Sequence, residues 1–307
     1  MEAIAVCLWI FAGACVVTWL LSVLTREYSW VDRIWSLIPI VYVGVFAAAA
    51  NFTDARLNTM LVLVGLWGAR LTFNFARKGG YAPGGEDYRW GVLRSRMKPW
   101  QFQLFNVGFI TIAQNLILLL ICLPAYTALT HSAPLGLLDV VVAVLFLACL
   151  AGETVADQQQ WDFHKRKKAV LDSGGTPESW FLRRGLFRYS RHPNYFFELA
   201  QWWLVFAFGA VAASSVLQWT VIGPVSLTLL FVGSTAFTES ITKSKYPEYA
   251  EYQRTTSPIV PWFPSRPASP TTEPTSTTEP TSTTEPTSNT EPTNTEPAPG
   301  TNISRRS

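Results

Sequence analysis

An all-α bundle of about seven membrane-crossing helices is what this sequence predicts, on three observations. Of its 307 residues, 49% are hydrophobic and only 15% are charged, against about 25% charged in an ordinary soluble domain. The apolar residues gather into seven runs that approach or exceed the length needed to cross a bilayer. Lys and Arg fall in alternate loops, the distribution expected when basic loops stay in the cytoplasm.

In chain order the runs lie near 3–24, 35–50, 57–76, 104–128, 136–156, 196–213 and 216–237. Glu2 precedes the first run with no basic stretch before it, so the run reads as a retained helix rather than a secretory signal. The second and sixth runs are short, and the third carries Arg70 and Asn74. Loops near 25–34, 77–103 and 157–195, with the segment after 238, hold nearly all the basic residues. The intervening loops hold only Arg56, beside Asp54. This alternation predicts a multi-pass protein of the endoplasmic reticulum membrane in a eukaryote, or of the inner membrane in a bacterium. Its basic loops and C-terminal tail would be cytoplasmic. Trp30, Trp35, Trp100, Trp202 and Trp262 sit near run ends, as interfacial anchors do.

Two domains of behaviour follow: residues 1–264 form the membrane domain, and 265–307 form a Thr/Ser/Glu/Pro-rich tail repeating TTEPTS. The tail has almost no apolar side chains to bury and is expected to be disordered. It carries three arginines against five glutamates, a charge of −2, so with +3 overall the membrane domain carries +5. Beside membrane helices such charge implies topology and lipid contacts, not nucleic-acid binding. The four cysteines lie inside apolar runs without paired spacing, and the three histidines are scattered, so no metal site is expected.

Charged and polar residues in or beside membrane helices are costly and by default functional, and three clusters qualify. Arg70, Asn74 and Arg77 lie one turn apart on one face of the third helix, ahead of a glycine-rich loop with Asp87 and Arg89. Snorkelling explains Arg77 but not Arg70, two turns deeper. Glu153 and Asp157 share a face at the end of the fifth helix, before His164 and the run Lys165 to Lys168. Carboxylates followed by cations suit a ligand bearing hydroxyls and phosphates, although the basic run is also a topology signal. The densest cluster is RRGLFRYSRHPNYFFE, residues 183–198. Pro193 is placed to open a helix, leaving Arg191 and His192 at its anion-favouring end. Asn194, Tyr195 and Glu198 follow in its first turns; a capped interfacial helix start is the plain alternative.

The stretch RGLFRYSRHPNYFFE resembles the C-terminal region of steroid 5-alpha-reductase-like membrane proteins, closest to their DUF1295 branch. LWGARLTFNFARKGGYAPGGEDYRW, ETVADQQQWDFHK and KYPEYAEYQRTTSPIVPWFP are similar to other segments of that branch, so the resemblance covers most of 30–264. It implies a seven-helix reductase that takes NADPH from the cytoplasmic side and passes hydride to a conjugated carbon–carbon double bond of a lipophilic small molecule. By position, it implies that Glu153 and Asp157 meet adenosine, that Arg70, Arg77 and Arg191 meet phosphates, and that Asn194 and Glu198 face the nicotinamide with Tyr195 nearby. Asn74 and His192 belong to the same cofactor-binding set. Asp32 corresponds to the carboxyl that polarises the substrate carbonyl; a salt bridge to Arg33 or Arg26 is its plain alternative. Where the steroid reductases carry a tyrosine, this chain has Trp67, which favours another unsaturated lipid as much as a sterol. An S-adenosylmethionine-dependent membrane methyltransferase, whose relatives share RHP-x-Y, and a non-catalytic membrane scaffold are the competing readings.

Overall fold

The structure, a computed structural model, describes residues 2–265. Among them are seven helical spans long and apolar enough to cross a membrane: Ala3–Thr25, Trp30–Ala49, Ala55–Arg77, Pro99–Thr130, Leu137–Asp172, Pro193–Ala212 and Trp219–Lys245. The repeat tail expected to be disordered lies outside the described residues, apart from its first residue.

Each span coincides with an apolar run, but polar residues extend several of them. The first span is α1 (Ala3–Thr25). The second is two pieces, α2 (Trp30–Trp35) and α3 (Ile38–Ala49), broken where Pro39 enters the first turn of α3. A proline there leaves no amide to bond backward, so the chain turns before it. The third is α4 (Ala55–Arg77), capped by the Asp54 side chain accepting from the Leu57 N–H at 2.9 Å. After it come the short α5 (Tyr88–Arg96) and α6 (Pro99–Phe105). Asn106–Ala113 is a π-helical stretch leading into α7 (Gln114–Leu120) and α8 (Leu123–Thr130). The fourth span is therefore wound in four pieces where its hydropathy suggests one helix.

The fifth span, α9 (Leu137–Asp172), is one helix of 36 residues. At 1.5 Å per residue it is about 54 Å long, well beyond the roughly 30 Å apolar core of a bilayer. Its surplus carries the basic run out of the membrane, which hydropathy alone places in a loop. α10 (Pro193–Ala212) opens at Pro193, as a proline at a first helical position predicts. α11 (Ile222–Lys245) and the short α12 (Tyr249–Thr255) complete the domain.

α10 packs most extensively against α9 and α8, and α3 against α4. Close approaches depend on glycine. A Cβ at Gly68 would strike the Ser36 carbonyl and Ile40, and one at Gly223 would strike the Leu120 carbonyl. Small residues that let backbones approach are the usual means of packing helices in lipid. Trp202 is buried in the core, edge-on to Trp67 at 4.9 Å, and is no interfacial anchor. At the end opposite the basic loops, Arg56 pairs with Asp139 of α9 at 2.7 and 2.9 Å, with both side chains buried.

Candidate functional site

The polar residues spread over 128 positions of sequence converge at the basic end of the bundle. Arg70 of α4 is ion-paired with three carboxylates: Asp157 at 2.6 Å and Glu153 at 2.8 Å on α9, and Glu198 at 3.4 Å on α10. Glu198 also accepts the indole N–H groups of Trp67 (2.8 Å) and Trp202 (3.1 Å), and Glu153 accepts from the Gln201 amide at 2.7 Å. All are buried. Two turns outward, Arg77 donates to Asn74 at 2.9 Å and to Gln158 at 2.7 Å, and lies over the Phe73 and Trp161 rings. Arg70 thus meets carboxylates through its two terminal nitrogens, while its Nε is buried without an acceptor among the described residues.

A second ionic knot fastens the start of α10. Arg191 grips Glu239 of α11 with two bonds, at 2.6 and 2.9 Å, and donates to the carbonyls of Gln253 and Thr256. His192 Nε2 lies 3.0 Å from the same carboxylate. Backbone bonds from Arg191 to Ser257 and from His192 to Pro258 hold the closing segment against the helix start. This arginine ties α10, α11 and α12 together.

Two cavities lie against these elements. The first, about 430 Å³, is walled mainly by Trp35, Leu93, Phe105, Phe109, Leu230, Phe231 and Phe237. Its polar groups are few: Asp32, Arg89, Gln114, Tyr195 and Ser234, with the Trp90 indole. Asp32 is half-buried, lines this space and accepts from Trp90 Nε1 at 3.2 Å. It forms no ion pair among the described residues. Arg33, the partner weighed for it, bonds Glu27 at 2.6 Å instead. Burial would lower the Arg89 pKa, but Asp87, bonded to it at 2.7 to 3.0 Å, outweighs burial and holds it above the ordinary guanidinium value.

The second cavity, about 380 Å³, is the more polar of the two, with Gln160, His164, Lys167, His192 and Lys245 set among largely aromatic walls. Trp180 and Tyr246 stack at 5.4 Å, with Lys167 over both rings. The two cavities share partitions. Tyr88, His192 and Thr238 face the polar side, while their chain neighbours Arg89, Tyr195 and Phe237 face the apolar side. His192 and Tyr195 stack across that wall with ring centroids 5.1 Å apart.

The structure thus distributes the sequence-predicted residues among distinct places. Arg70, Glu153, Asp157 and Glu198 meet in the buried cluster, with Asn74 and Arg77 at its rim; none of these lines either cavity. Arg191 and His192 form the knot and border the polar cavity, and Asp32 and Tyr195 border the apolar one. Asn194 is half-buried one turn before Glu198 and makes no side-chain hydrogen bond among the described residues. Trp67 is buried against Glu198, away from both cavities. Sequence reasoning did not select Arg89, Trp90 or Glu239. Glu239 carried a usable signal, a lone carboxylate in the last turns of an apolar helix.

A family profile described as "Protein of unknown function (DUF1295)" matches residues 18–256. An uncharacterized protein of Schizosaccharomyces pombe is 38% identical over 252 residues, which cover 77% of this chain and 73% of that protein. No solved structure matches the chain.

Proposed function

The chain belongs to the DUF1295 family, and on that premise we propose that it is a membrane-embedded NADPH-dependent reductase of a carbon–carbon double bond in a lipophilic substrate. The observation that carries this reading is the pair of cavities divided by the His192–Tyr195 stack. An apolar chamber within the helices suits a lipid, and a cationic, aromatic chamber at the basic end suits a phosphate-bearing heterocycle. A reaction that joins a water-soluble cofactor to a lipid needs that arrangement, with a thin wall where reacting atoms meet.

The residues present fit such a cofactor. Lys167, Lys245 and His192 supply cationic or N–H donors, and the flat Trp180–Tyr246 pair supplies aromatic surface. When bound, nicotinamide supplies the hydride. The chain's own contribution is position and a proton. Asp32, the one carboxyl lining the apolar cavity, would hold a proton at its carboxyl oxygen and give it to a carbonyl oxygen as charge develops there. Trp90 fixes its orientation through the indole N–H. Tyr195 supplies a phenol at the dividing wall, which Trp67, turned to Glu198, does not. In this reading the basic end faces the cytoplasm, where the cofactor is available.

Thermal unfolding of the purified chain with NADPH, NADH or S-adenosylmethionine tests the proposal. A ligand at 100 times its Kd adds about 2.7 kcal/mol, so NADPH is expected to raise the unfolding temperature. A rise with S-adenosylmethionine alone identifies a methyltransferase instead. No rise with any of the three, in folded protein, leaves a scaffold.

A further inference from the structure

Most polar groups of the apolar cavity belong to one neighbourhood. Trp90 bonds Asp32 at 3.2 Å, and Arg89, next to it in the chain, bonds Ser234 at 2.6 Å. Gln114 approaches the same cavity from the fourth span and belongs to no such group. It is 4% exposed, lines the cavity, and its amide has no hydrogen-bond partner among the described residues. Two other buried amides of that span are engaged. Asn106 donates to the Ser22 hydroxyl at 2.9 Å, and Asn115 donates to the Thr111 carbonyl at 2.8 Å. An unpaired carboxamide among apolar walls inside a membrane domain is costly, and polar residues kept at such depth are by default functional.

The backbone is wound to hold Gln114 in that position. Phe105 packs against Trp90 with ring centroids 6.3 Å apart, and Phe109 stacks on Phe105 at 4.9 Å. Both rings line the cavity together with Gln114. Gln114 is nine residues beyond Phe105, which in an α-helix is about two and a half turns and sets the two on opposite faces. Residues 106–113 are π-helical instead. Their wider turns take up the extra half turn and bring Phe105, Phe109 and Gln114 onto one face. Such stretches are rare and often mark functional sites; here the winding turns one amide into a cavity.

We infer that Gln114 is a specificity-determining residue of this cavity, binding a hydroxyl or carbonyl oxygen of the ligand on the order of 10 Å from the group that meets Asp32, a distance of about two helical turns. The ligand class is therefore a lipid polar at two places with an apolar stretch between them, not a hydrocarbon chain with a single head. A carboxamide suits that task because it both donates and accepts, so a hydroxyl or a carbonyl finds a partner in it. A trapped water is the poorer occupant: it needs two to four polar partners, and the neighbours of Gln114 on its cavity face are phenylalanines. The inference rests on the reading of this cavity as the substrate chamber, but it involves neither hydride nor NADPH, so the two can fail separately.

Titration calorimetry of the purified full chain in detergent, without NADPH, tests it with 1,10-decanediol and 1-decanol, which differ by one terminal hydroxyl. The native chain is expected to bind the diol. Gln114→Leu keeps a similar volume and removes the amide. Relative to the native chain, it should lose about tenfold of its preference for the diol over the alcohol. Partitioning of the probes into detergent cancels when that ratio is compared between the two chains. Without ligand, Gln114→Leu should unfold at or above the native temperature, because an unpaired amide gives way to an apolar side chain. An unchanged ratio overturns the inference, as does failure of the folded native chain to bind the diol. A Gln114→Leu chain that unfolds well below the native one also overturns it, since the amide would then be serving the fold. None of these outcomes bears on the unfolding shift expected with NADPH.

Discussion

Asp32 and Glu239 are both acidic residues at the basic ends of membrane helices, and their partners give them opposite duties. Glu239 is held by Arg191, His192, Tyr249 and Gln253, so every lone pair is committed to structure. Asp32 has one indole donor at 3.2 Å and otherwise faces a cavity. A carboxyl left so free beside apolar walls is placed to exchange a proton with whatever enters. Asp32→Asn keeps the shape and the Trp90 contact but removes the acid. Turnover of an unsaturated lipid is expected to fall by about 10²–10⁴-fold, the usual worth of a positioned acid, while NADPH affinity stays unchanged. Equal loss of affinity and turnover would show instead that Asp32 organises the cofactor site.

At the level of elements, the helices follow from hydrophobic runs, but their interruptions and overruns do not. The break between α2 and α3 could be suspected from Pro39. The π-helical stretch 106–113 could not, because its sequence NVGFITIA is apolar without proline. The overrun of α9 rests on residues such as Gln158, Trp161 and Lys165, which carry no hydropathy signal, although they form helix well once α9 has started. The contact between α4 and the α2–α3 junction depends on Gly68, beside the bond joining the Ser36 and Thr72 hydroxyls at 2.7 Å. Gly68→Ala has no room to be absorbed and should destabilise by about 1–3 kcal/mol, the range for an overpacked core. Thermal unfolding of the purified variant measures it, and an unchanged midpoint would mean that α3 and α4 can part freely.

Across the whole molecule, one end is rich in Lys and Arg and the other is closed by the Arg56–Asp139 pair. That asymmetry was legible in the sequence, as was the presence of costly polar residues in α4, α9 and α10. Their grouping was not. Arg70 finds its partners through helix packing, and the same sequence spacing would allow it to meet a phosphate. Seven crossings place residues 53 and 173 on opposite sides. In a chain whose own four cysteines are replaced, Thr53→Cys and Ser173→Cys should react with a membrane-impermeant thiol reagent from opposite faces of sealed vesicles. Ser173 is expected on the cytoplasmic face. Labelling of both from the same face would remove a crossing.

The ion pairs of Arg70 have a consequence for how the protein is made. Its carboxylate partners on α9 and α10 lie 87 and 128 residues further along the chain. At roughly 5–20 residues per second, a ribosome needs on the order of 4–17 s after Arg70 to complete Glu153 and Asp157. Throughout that interval α4 carries a lone guanidinium that lipid does not welcome. The helix must therefore wait beside the translocation machinery, or sit shallow with the arginine reaching for the headgroups, until α9 arrives to draw it in. Membrane insertion and tertiary pairing are thus a single late event for this helix, and the cell's insertion apparatus is a party to its folding.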